Sequence, residues 1–101
     1  MNSKDTEIET LLSGLARTGR LGDWGEANRD LNACLRLFQQ VQDRGAMKSV
    51  PPDLLTKFNY SLETIFLMLK NKDWVAIADI VEFELLALWR EMAKQIDMHE
   101  Q

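Results

Sequence analysis

Apolar residues recur at every third or fourth position along almost the whole chain, and nowhere do they alternate with polar ones over the roughly four to eight residues of a half-buried strand. That period commits the backbone to helices, because a turn of about 3.6 residues brings such positions onto one face.

Four segments separate on this basis. From about Thr6 to Arg17, Ile8, Leu11, Leu12 and Leu15 share a face, and Thr6 with Glu9 has the spacing of a capping box. The glycines of Thr18-Gly19-Arg20-Leu21-Gly22 predict a turn. A second helix opens at Asp23, again with a Glu three residues on, and runs to about Arg44, where Gly45 offers a C-cap. Its stripe is Trp24, Ala27, Leu31, Cys34, Leu35, Phe38 and Val41. Residues 45–52 read as a linker, since Pro51 and Pro52 disfavour helical backbone just before them. A third helix begins at Pro52, with Leu54, Leu55, Phe58, Leu62, Ile65, Phe66 and Leu69 inward. After an Asn71-Lys72 turn, Asp73 opens the longest helix, to about Met98, whose stripe is Trp74, Ile77, Ala78, Val81, Leu85, Leu88, Trp89, Met92 and Ile96.

The expected class is all-α, a four-helix bundle made of two hairpins, about 5–45 and 52–98, in one domain spanning 1–101. At an offset of 50 residues Asp23-Trp24 aligns with Asp73-Trp74, Leu12 with Leu62, Leu15 with Ile65 and Leu35 with Leu85. The match reads either as an internal duplication or as two amphipathic hairpins sharing one period.

Composition narrows the function classes. With 12 basic and 16 acidic side chains the formal net charge is −4, the wrong sign for a surface that neutralises phosphates, so no nucleic-acid partner is expected. Apolar runs reach five residues, as in Ile65 to Leu69, against the roughly 20 needed to cross a bilayer. The opening MNSKDTEIET has no apolar signal core, and a single cysteine, Cys34, suits a reducing compartment, so a cytoplasmic protein is expected. Cys34 sits on an apolar stripe, where a thiol packs as a small hydrophobe. One histidine, His99, near the C-terminus cannot supply the two Glu-x-x-His pairs of a di-iron bundle, and no glycine-rich phosphate loop is present. The expectation is a non-enzyme with no catalytic residue, no metal and no cofactor.

Two features remain. In the last helix Ala76, Ile80, Phe83 and Ala87 gather nearly opposite the main stripe, and in the third helix Tyr60 and Leu67 do the same. A helix apolar on two faces in so short a chain predicts a partner interface, with Asp79, Arg90 and Glu91 as its charged rim and a homodimer as the simplest assembly. Glu82, at the edge of the main stripe, calls for a donor such as Arg29 or Arg36. The alternative is a small-molecule or regulatory bundle whose pocket lies between Trp24 and Trp74 at the helix starts.

The string from Asp73 to Leu85, with Asp-Trp, Ala78-Asp79 and Glu82-Phe83-Glu84-Leu85, resembles the start of the last helix in a group of uncharacterised bacterial proteins, some of them from motility settings. In size, acidity and hairpin layout the chain is also similar to small helical flagellar export chaperones. The resemblance implies an adaptor or chaperone-like module that binds itself or a client helix along an exposed apolar face.

Overall fold

The computed structural model describes the backbone of residues 3–100 and the side chains of residues 6–97. It consists of α1 (Ser3–Arg20), α2 (Trp24–Asp43), a 3-10 turn (Ala46–Ser49), α3 (Pro52–Lys70), α4 (Trp74–Ile80), a π-turn (Val81–Leu85) and α5 (Leu86–Glu100). The last three are one continuous rod, since the backbone stays right-handed helical at Ile80, Val81 and Leu86. The chain is therefore an all-α four-helix bundle, and among the described residues no strand occurs and no helix is long and apolar enough to cross a membrane. The His99 side chain lies outside the described side chains.

The α1–α2 and α3–α4 turns are built alike, 50 residues apart. Gly22 (φ 77°) and Lys72 (φ 53°) both adopt the left-handed conformation. The next amide, Asp23 or Asp73, donates back five positions to the carbonyl of Thr18 (3.0 Å) or Met68 (3.2 Å). Gly22 and Lys72 donate to Gly19 and Leu69, which completes a Schellman motif in each case. Asp23 and Asp73 then cap the following helix, accepting from the amides of Glu26 (3.3 Å) and Ala76 (3.2 Å).

Two expectations about the ends of α1 need correction. Helix α1 begins at Ser3, so Thr6 is an interior residue whose carbonyl accepts from the Thr10 hydroxyl rather than an N-cap. Helix α1 also runs on to Arg20, so Gly19 serves packing instead of a turn. A Cβ at Gly19 would lie 3.0 Å from the Trp74 carbonyl oxygen and 3.2 Å from Ala78 Cβ. The missing side chain lets the end of α1 press against the start of α4, which brings both interhelical turns to the same end of the bundle.

From that crossing α1 runs alongside α2 and along the whole α4–α5 rod, and α3 packs against the rod's other side. The 3-10 turn is a packed lid, with Ala46 and Val50 buried and contacts to α2 and α5. Phe38 of α2, Phe58 of α3 and Trp89 of α5 meet in the core. Phe38 stands edge-on to Phe58 at 5.1 Å and tilted to Trp89 at 5.4 Å. Cys34 is fully buried, as its stripe requires.

The stripes are corrected at five residues. Trp24 is 58 % exposed although Trp74, its counterpart in the repeat, is buried. Phe66 is also exposed. Leu86 and Ala93 are buried although a straight 3.6 period turns them away. The cause is the π-turn, where the Leu86 amide donates to the Val81 carbonyl five residues back; the inserted residue rotates the rest of the rod. The same rotation leaves Leu88 only half-buried.

Leu85 is fully buried at that turn, so Leu85→Ala should cost about 2–5 kcal/mol in urea unfolding, and a loss below about 1 kcal/mol would remove it from the core. At the turns, Lys72→Gly should gain up to about 1 kcal/mol by relieving a left-handed residue with a Cβ, whereas Gly22→Ala should lose about 1 kcal/mol. Equal effects of the two substitutions would contradict the shared geometry.

Candidate functional site

Helix α3 is rich in large apolar residues yet buries only Phe58, Ser61 and Ile65 fully. The remainder flanks the rod, and between α3 and the π-turn region a groove of about 490 Å³ opens. Its α3 wall carries Thr56, Lys57, Tyr60 and Ser61, and its other wall Phe83, Glu84, Ala87 and Leu88. Tyr60 and Phe83 are each 71 % exposed.

Phe83 sits in the middle of the π-turn and is held from behind. Arg20, at the end of α1, places its guanidinium 5.6 Å from the Phe83 ring centroid, within cation–π range. The same guanidinium donates to Asp79 at 2.8 Å and to Glu82 at 2.6 Å. Hydrogen bonds to Asp79 and then Glu82 raise the Arg20 pKa further, so this cation does not titrate. The donor for Glu82 is thus Arg20, not Arg29 or Arg36; Arg29 pairs with Glu26 on its own helix at 3.3 Å. The reason is register: the Gly19 crossing lays the last turn of α1 beside residues 79–82.

Of the six residues expected at a partner interface, the structure brings Tyr60, Phe83 and Ala87 into one groove. Leu67 is exposed on the same face of α3, two turns beyond Tyr60 and outside the groove lining. Ala76 is half-buried, and Ile80 is half-buried against the core, so neither stands free on the outer face as expected. The expected rim is spent elsewhere: Asp79 on Arg20, Arg90 on Glu9 of α1 at 2.8 Å, and Glu91 with Lys94 at 3.6 Å. The charges at the groove are instead Lys57 and Glu84, one on each wall.

Ser61 was missed by the sequence reading although its position was legible, since it falls between Phe58 and Ile65 on the core stripe of α3. It is 5 % exposed, and its hydroxyl has no hydrogen-bond partner among the described residues. Neighbouring Thr56 and Thr64 instead donate to carbonyls four residues back. A buried, unsatisfied hydroxyl on a groove wall invites an incoming hydrogen-bonding group.

Trp24 and Trp74, expected to share a pocket, line neither this groove nor a smaller hollow of about 150 Å³ between Phe38, Gln42, Met47, Leu55, Phe58, Asn59 and Leu62. One face of α1 bears a further concavity of about 520 Å³, lined by Thr6, Glu9, Thr10, Ser13, Gly14 and Arg17. No group of three or more metal-ligating side chains occurs among the described residues. Asp30 has its pKa raised by burial and by Glu26, against the pull of Arg17, and it faces Gly14 across the α1–α2 contact.

Burial, with a smaller contribution from Asp30, pushes the Cys34 thiol from its ordinary 9.0 up to about 12. The native protein should therefore resist thiol reagents at pH 8 and react fully once unfolded. Because the folded pKa is the higher one, this group contributes no penalty below pH 9.0; above it the unfolded thiol ionises and stability falls until the folded thiol follows near pH 12. Rapid labelling of the folded protein would contradict a buried Cys34.

No family model, no curated protein and no solved structure matches this chain.

Proposed function

We propose that the chain is a non-enzymatic protein-interaction module, adaptor or chaperone-like, which engages its partner through the groove between α3 and the π-turn. The observation that carries this reading is Phe83, 71 % exposed in the centre of a π-turn, backed by Arg20 and facing the equally exposed Tyr60. π-turns are rare and recur at functional sites. Each of these rings would gain roughly 1.5–3 kcal/mol on full burial, so a partner that covers both has a substantial driving force. Most of the groove's surface is apolar, with polar groups contributed by Thr56, Lys57, Tyr60, Ser61 and Glu84, which suits an amphipathic helix laid along it.

A photo-crosslinking residue at Tyr60 tests the reading in cells. It should yield a discrete protein adduct that disappears when Phe83→Asp is added, while the same residue at exposed Asn32 on α2 should yield none. Equal adducts at both positions, or none at Tyr60, would overturn it. Circular dichroism of Phe83→Asp should match the wild type, since the ring is outside the core.

A further inference from the structure

We infer that the occupant of the groove is a second copy of this chain, docked about a two-fold axis that places Phe83 of each copy over Ala87 of the other. This rests on the groove being the interaction surface. Phe83 and Ala87 lie one helical turn apart on the same wall, a large residue beside a small one. When two such walls meet antiparallel, each large residue faces the opposite small one, the self-complementarity that a two-fold interface demands.

Charge points to the same occupant. The chain carries a net charge of −4, and residues 51–101, which supply both walls, hold five basic and nine acidic side chains. Copies of such a chain repel each other over most of their surfaces, yet the groove holds one cation and one anion, Lys57 and Glu84, on opposite walls. Neither makes an ion pair among the described residues. A second copy supplies Glu84 to Lys57 and Lys57 to Glu84, so two pairs form from groups that one copy leaves unused. The exposed Tyr60 phenol, on the same wall, gives the opposite copy a hydroxyl to meet the buried, unsatisfied Ser61.

Sedimentation equilibrium of the purified chain up to roughly 1 mM tests this, a range that captures even weak dimers. The wild type should dimerise, and Phe83→Asp and Ala87→Glu should each be monomeric with unchanged helicity. Lys57→Glu and Glu84→Lys should each weaken the dimer about fivefold or more, and the double swap Lys57→Glu with Glu84→Lys should regain the lost affinity, because the crossed pairs re-form with reversed sign. Ser61→Ala reports the hydroxyl separately and should weaken the dimer without dissolving it. A wild type monomeric throughout, a dimer that survives Phe83→Asp, or a double swap no better than either single change would each overturn the inference. A monomeric chain that still gives a Phe83-dependent crosslink from Tyr60 to a different protein would leave the interaction module standing and remove only the second copy.

Discussion

The bundle is organised by the place where α1 has no side chain. At Gly19 the backbone of α1 approaches α4 so closely that even a methyl group would meet the Trp74 carbonyl oxygen at 3.0 Å. Backbone-to-backbone contact of this kind fixes the relative height of two helices more tightly than interleaved side chains can, because the permitted slide is small. Three consequences follow from that height. Both Schellman turns fall at one end, Trp74 is covered while Trp24 is not, and Arg20 arrives within 2.8 Å of Asp79 and beside the Phe83 ring.

The π-turn at Val81–Leu85 adds a second constraint. One inserted residue rotates the rod beyond it, so that Leu86 and Ala93 turn inward. The core thus gains continuous burial from Trp74 to Ile96, and the surface gains an exposed ring with a cation behind it. Helix α3 completes the picture, since it rests on one side of the rod only and leaves Tyr60 and Leu67 in solvent.

The repeated hairpin shows how similar local structure meets unequal surroundings. Asp23 and Asp73 have nearly the same backbone angles, φ −83° with ψ 73° and φ −88° with ψ 75°, and cap their helices in the same way. The tryptophan that follows each is exposed in one case and buried in the other. Local chemistry dictates the turn and the cap, whereas burial depends on which helix lies opposite.

The sequence by itself determined the four helices, their order, both Asp caps, the burial of Cys34 and the outward direction of Phe83, because each depends on spacing or on chemistry within a few residues. It also located Tyr60 and Ala87 on faces turned from the main stripes. Only the tertiary structure decided that Gly19 is a contact and not a turn, since a glycine's tolerance of left-handed backbone and its lack of bulk look identical in one dimension. The same holds for Arg20, whose partners lie 59 and 62 positions away, and for Ile80, drawn toward the core. Leu86 and Ala93 were illegible because a π-turn leaves no compositional mark, and a period read at 100° per residue cannot register an inserted residue. Lys57, Ser61 and Glu84 became one site only when α3 and the rod were set side by side, for a groove is a property of two surfaces and their separation.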